Sequence, residues 1–294
     1  MEQTLSTPAN PMRGWINGFI GVVIFSGSLP ATKIAIHGFS PDFLTAGRAS
    51  IAGLIALLIL VLLRQKLPTK AHLIPLAIVA VGGVIGFPLL TALALRYVSS
   101  AHSIVFIGLL PLATAFFAVI RARECPRKLF WMFSVLGSLF VIGFALLQGG
   151  QSTLLGDAYM IAAILLCGLG YAEGAVLSKQ LGSWQVICWA LVISLPIMLV
   201  LGIVLWPENL TTIPTSAWAG LLYVSLFSML IGFFFWYRGL AEGGIASVGQ
   251  LQLLQPFIGL LLSAWLLNEA VSGLMIASTC GVLLCVAASK KYAK

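Results

Sequence analysis

A chain of 294 residues with 60% hydrophobic and only 8% charged side chains cannot coat a soluble globule, which carries about 25% charged residues. Its mean hydropathy of +1.08 assigns it to a bilayer, and the net charge of +8 has no soluble domain on which to build a nucleic-acid surface. Cys125, Cys167, Cys188, Cys280 and Cys285 form no CxxC pair, which excludes the usual zinc and redox motifs and leaves them as small apolar side chains.

Residues 1–14 are polar and read as an N-terminal tail in the cytoplasm. The apolar run that follows is too long for the core of a cleaved signal and reads as a permanent span. Crossing about 30 Å of hydrocarbon takes about 20 apolar residues. Such runs fall at 15–36, 43–63, 73–95, 101–120 and 129–147. After a polar stretch at 148–153 come 155–177, 184–206, 217–237, 245–267 and 273–289. The runs are continuously apolar rather than alternating, so they are helices and not barrel strands. Ser40-Pro41-Asp42 supplies an N-cap, a proline at the first helical position and an acid in the first turn. The reading is an all-α integral membrane protein of ten transmembrane helices.

Orientation follows from the basic residues. With the N-terminus inside, the cytoplasmic loops and tails hold 13 of the 16, including Arg64, Lys66, Lys70, Arg121, Arg123, Arg127, Lys128 and the short basic tail at 290–294. Only Lys33, Arg48 and Arg96 fall toward the outside. This is the positive-inside pattern, and it puts both termini in the cytoplasm.

A shift of 145 residues superposes Pro111 on Pro256, Glu124 on Glu269, Ala101 on Ala246, Leu95 on Leu240 and Leu129 on Leu274. It also lays the basic loop Arg121, Arg123, Arg127, Lys128 over Leu266, Asn268, Ser272 and Gly273, which carry no charge. A repeat with an odd number of helices inserts its second copy upside down, so one loop is basic and its counterpart is not. The units are a first five-helix repeat at 15–147 and a second, inverted one at 155–289.

At these residues the chain resembles the drug/metabolite transporter superfamily, and within it the ten-helix EamA-type members. The resemblance rests on Gly27-Ser28-Leu29-Pro30-Ala31-Thr32-Lys33, on Arg48, on Pro111 with Glu124, and on Pro256 with Leu267-Asn268-Glu269. It spans nearly the whole chain and is greatest toward the YddG-type exporters of aromatic amino acids. Ser28 departs from it, standing where many members have a larger residue. The resemblance implies a cavity between spans one, three, four, six, eight and nine, with five and ten outside. It also implies alternating access and a place in the bacterial inner membrane.

The candidate site residues sit on those spans. Lys33 is the candidate donor to a substrate carboxylate, three residues after Pro30 and in the same span as Ser26; snorkelling to the interface or pairing with Asp42 is its other reading. Arg48 reads as a structural hydrogen-bonding residue. Glu173, just after Tyr171, is a candidate acceptor for a substrate ammonium. Glu124 and Glu269, at helix ends, read as loop-organising or capping groups. Gln252 and Gln255 share a helical face beside Pro256, and with Gln250 they are amides that need a partner at that depth. Phe87, Phe106, Tyr171, Tyr223 and Phe227 would give an apolar wall suited to an aromatic solute. Pro88, Pro111 and Pro256 are candidate hinges, because proline removes a helix hydrogen bond.

Without HExxH, GxSxG or a cluster of His37, His72 and His102, no enzyme chemistry is expected. No cofactor or metal is called for. The expected partners are an amino acid and the lipid bilayer, and one duplicated chain can act as a monomer. The competing readings are efflux of other small metabolites or cationic drugs, and a lipid-handling or scaffolding membrane protein.

Overall fold

Breaks in hydrogen-bond pattern, as well as polar caps and loops, punctuate the helices of this chain. The computed structural model describes residues 11–94, 97, 106–147, 153–267 and 273–293, and among them there is no strand. Leu95, Arg96, Ala101, His102, Asn268, Glu269, Ser272 and the tail before Pro11, all named above, lie outside the described residues.

The helical stretches are labelled in chain order. Helix α1 has two pieces, Pro11–Ser26 and Ser28–Ala35, and α2 is Pro41–Leu62. Helix α3 runs as Lys70–Val79, a π-helical Ala80–Gly86 and Phe87–Ala94. Next come α4 (Leu110–Ala122), α5 (Lys128–Leu147), α6 (Leu154–Leu181) and α7 (Ser183–Val204). Helix α8 joins Thr215–Tyr223, a π-helical Val224–Ile231 and Gly232–Gly243. Helix α9 joins Ile245–Gly249, a 3₁₀ turn Gln250–Leu254 and Gln255–Leu267, and α10 is Gly273–Lys291. Among the described residues, α1, α2, α3, α6, α7 and α8 contain runs long and apolar enough to cross a membrane, and α4 and α5 carry shorter apolar helices. The all-helical, multi-pass character expected from composition is therefore present.

Local sequence explains the ends and breaks. Ser40 accepts a hydrogen bond from the Phe43 amide at 3.2 Å, with Pro41 opening α2, as the cap reading expects. Thr153 caps α6 in the same way through Gly156. Each candidate hinge proline stands in the first two positions of a helical piece that follows a non-α segment. Pro88 follows the π turn of α3, Pro111 opens α4, and Pro256 follows the 3₁₀ turn of α9. At Pro111 the missing N–H falls in a first turn, where that donor has no partner anyway; Pro88 and Pro256 stand in continuing helices, where the change of hydrogen-bond pattern accommodates the ring. The π segments share a spacing too: adding 145 to 80–86 gives 225–231, inside the π segment of α8.

The most extensive helix contacts are α1 along the last piece of α8, α2 along α7, α5 along α10, and α6 against α4 and α3. Small residues permit the closest approaches. A Cβ on Gly239 would meet the backbone nitrogen of Gly18 at 2.5 Å, and one on Gly82 would meet the Gly170 Cα at 2.9 Å. Close backbone approach of this kind is how helices associate when lipid offers no hydrophobic gradient.

One end of the bundle gathers the basic loops. There the start of α1 meets the end of α8 at Gly14 and Gly243. The Arg127 amide donates to the Tyr292 carbonyl after α10, and His72 meets Gln180. We call this the basic end.

Candidate functional site

The interior holds a cluster of rings supplied by three helices. Phe25 of α1 stacks edge-on against Phe233 and Trp236 of α8, with centroids 5.1 and 6.2 Å apart. Tyr171 of α6 meets the same two rings at 6.0 and 5.5 Å, and Phe233 also touches Tyr237. All five are buried. The Tyr237 hydroxyl lies 3.5 Å from the Gly170 carbonyl, and Gly174 leaves the room that its ring occupies.

The interior also holds polar groups without partners. Arg48 of α2 lies within electrostatic reach of the Tyr171 hydroxyl, and its buried Nε has no hydrogen-bond partner. The Trp236 indole nitrogen is buried and unpartnered as well. In the 3₁₀ turn of α9, both amide atoms of Gln250 and of Gln252 are buried without partners. An unmade hydrogen bond on a buried group costs about 1–3 kcal/mol, which makes these groups candidates for contact with water or a solute.

The sequence-derived candidates fall into separate places. Tyr171 belongs to the ring cluster, and Gln252 is an unpartnered amide. Gln255 is half-buried beside buried Pro256. Tyr223 stacks on Phe227 at 5.3 Å and donates its hydroxyl to the Ile24 carbonyl at 3.0 Å, which ties α8 to the middle of α1. Nearby, Ser28 and Ser228 share a hydrogen bond of 2.7 Å across the same pair of helices. Ser26 bonds back to the Val22 carbonyl within its own helix. Phe87 packs at the edge of the main core. Lys33 and Pro30 lie in the second piece of α1, and the Lys33 side chain is outside the described residues.

Phe106 lies elsewhere. It lines an apolar cavity of about 350 Å³ with Leu109, Leu112, Ala113 and Phe116 of the α4 segment, Trp131 of α5, and Ile161, Ile164 and Leu165 of α6.

Glu173 has a partner that its local sequence does not reveal. Both carboxylate oxygens of this buried residue accept from Arg121 at the end of α4, Oε1 from Nη2 at 2.9 Å and Oε2 from Nε. A two-pronged guanidinium–carboxylate pair is the strong form of such a contact. Glu124 acts as a cap, as expected. After Arg123 turns into the left-handed region at φ 55°, the Glu124 carboxylate accepts from the Ile245 and Ala246 amides at 2.7 and 2.8 Å. Those are the first free N–H groups of α9, where a negative charge is favoured. Sequence reasoning missed Arg121 because its charge was counted only toward orientation and the repeat. It missed Trp236 although a tryptophan in mid-span departs from the interface belt. Among the described residues no three His, Cys, Asp or Glu side chains gather as a metal site.

Apolar spans interrupted by π and 3₁₀ turns, with buried rings and polar groups between them, are features of multi-pass membrane proteins of the transporter class. The chain belongs to the EamA-like transporter family, whose model matches twice, at residues 12–146 and 154–289. It is 63% identical over 281 residues to a Bacillus subtilis protein named "Uncharacterized transporter YdeK", covering 96% of this chain and 98% of that one. It is 24% identical to "Uncharacterized transporter YyaM" of the same organism, covering 83% of each. A solved structure described as "Crystal structure of protein" superposes with a TM-score of 0.80 at 18% identity, covering 94% of this chain and 97% of its own, which shows a shared fold.

Proposed function

We propose that this chain exports amino acids, aromatic ones preferred, from the cytoplasm across the bacterial inner membrane. In this reading ten spans form two inverted five-helix repeats with both termini in the cytoplasm, and access alternates between them. Support for the repeats comes from the paired π segments 145 residues apart and from contacts that come in matching sets, α1 with α8 and α6 with α3. Under this orientation the basic end faces the cytoplasm. Its interhelical polar contacts, Arg121 with Glu173 and Glu124 with α9, hold that side closed. Pro88, Pro111 and Pro256 and the two π segments are the places where the helices bend on opening.

The observation that carries the substrate reading is the joint presence of Arg48, the ring cluster and the unpartnered amides of Gln250 and Gln252. A zwitterion with an aromatic side chain needs a cation for its carboxylate, an acceptor for its ammonium and an apolar wall. Arg48 or Lys33 supplies the first, Gln252 or Gln255 the second, and Tyr171, Phe87, Tyr223 and Phe227 the third.

Counterflow of labelled phenylalanine in proteoliposomes tests this. The expected result is uptake by wild-type protein above protein-free vesicles, reduced about tenfold or more in R48Q and Q252A, the loss of about 1.4 kcal/mol that one charged hydrogen bond supplies. Uptake of a cationic drug but no amino acid would favour the rival efflux reading. Full uptake by R48Q, K33A, Q252A and Q255A would remove the site assignment.

A further inference from the structure

The cavity at Phe106 lies apart from the ring cluster, and nothing in the transport reading uses it. Its walls are entirely apolar. Its lining residues run from Phe106, in the turn before α4, to Phe116 within α4. Phe116 and Ile120, one turn further along, are more than half exposed. The groove therefore opens sideways, toward the face that a bilayer covers, and its apolar walls suit a hydrocarbon chain.

The groove runs toward the basic end. On α5, Trp131 lines the groove, and Lys128 sits three residues earlier on the same helical face. On the other side α4 leads into Arg123, with Arg127 in the connecting turn. All three cations are exposed, and among the described residues none has an ion-pair partner. The carboxylates at this end are already engaged: Glu173 by Arg121, Glu124 by the α9 amides, and Glu242 by Arg238 and Asn17. Positive loops orient a membrane protein wherever they fall. Three exposed cations at the connection between α4 and α5, the two helices that line the groove with α6, offer a site as well.

We propose that the α4–α5–α6 groove binds an anionic phospholipid, one acyl chain between Phe106 and Phe116 and the phosphate on Arg123, Arg127 and Lys128. The headgroup charge supplies the counter-ion that this end of the protein lacks, and the chain replaces the contacts an empty groove would forfeit.

Native mass spectrometry of the detergent-purified protein, titrated with phosphatidylglycerol and phosphatidylcholine of identical chains, tests the proposal. Wild-type protein is expected to retain phosphatidylglycerol preferentially. Each cation removed should weaken that preference roughly fivefold, so R123Q/R127Q/K128Q should bring the two lipids close to parity, while R123K/R127K keeps the preference. Leu165→Trp, which fills the groove from an exposed position, should lower retention of both lipids. Thermal melting in detergent identifies any variant that has lost its fold, and the exposed triple substitution is expected to melt like wild type. Equal retention of both lipids by wild-type protein would overturn the proposal. So would a phosphatidylglycerol preference that survives the triple substitution, or retention that Leu165→Trp leaves unchanged.

Discussion

The two ends of the bundle are fastened by different physics. At the basic end, discrete polar contacts join the first half of the chain to the second. Arg121 clamps Glu173, Glu124 caps α9, the Trp15 indole donates to Ser247 at 3.2 Å, and Asn17 reaches Glu242 at 3.4 Å. At the opposite end the halves meet through rings and small residues. Phe39 packs edge-on against Trp218 at 4.8 Å, Phe43 against Trp206 at 5.7 Å, and Gly38 fits against Ile213 and Ala217. Polar contacts are directional and fail one at a time, leaving a buried group unsatisfied. Apolar contacts are graded, and lipid tails replace part of what is lost. An end held by such discrete contacts loosens in steps, whereas ring packing yields gradually.

Substitutions at each end, and in the seam between them, separate these behaviours. The largest effect belongs to the glycine seam between α1 and α8. Gly239→Leu forces a side chain into the Gly18 backbone and should cost roughly 3 kcal/mol or more. Size-exclusion chromatography would show aggregated or little folded protein, and a monodisperse variant with wild-type melting would refute the close approach. Arg121→Ala leaves the buried Glu173 carboxylate without its partner, at a cost of about 2–3 kcal/mol, below the range for a fully buried pair because Arg121 is half-exposed. Its melting temperature in detergent should fall clearly further than that of Glu173→Gln, which removes the charge along with the pair.

Glu124→Ala uncovers two amides of α9 and should cost about 1–2 kcal/mol, with Glu124→Gln restoring part of it. Hydrogen exchange at Ile245 and Ala246 reads the uncapping directly. At the other end, Trp206→Ala should cost only about 1 kcal/mol, the value of its edge-on pair with Phe43, because Trp206 is already half-exposed. If Trp206→Ala destabilises more than Arg121→Ala, the contrast between the ends is wrong.

Much of the fold was legible because bilayer residence leaves a long, local signature. The apolar runs, the Ser40 cap and the breaks at Pro88, Pro111 and Pro256 are each decided within a few residues of chain. The candidate site was legible only in part. Tyr171 and Gln252 were recognisable as polar or aromatic groups at depth. Glu173, by contrast, reads the same in sequence whether it faces a solute, water or an arginine.

What the sequence determined by itself was the solvent, the helical class, the gathering of basic residues at one end and the 145-residue correspondence. These are sums and periodicities along the chain, and they survive without knowing which helices touch. Tertiary structure alone decided that Glu173 belongs to Arg121, 52 residues away. It also decided that Arg48 meets Tyr171 without a carboxylate partner among the described residues, and that Phe106 leaves the ring cluster for a groove on another face. Partnership depends on contact geometry between helices distant in sequence, and neither charge nor hydropathy encodes it.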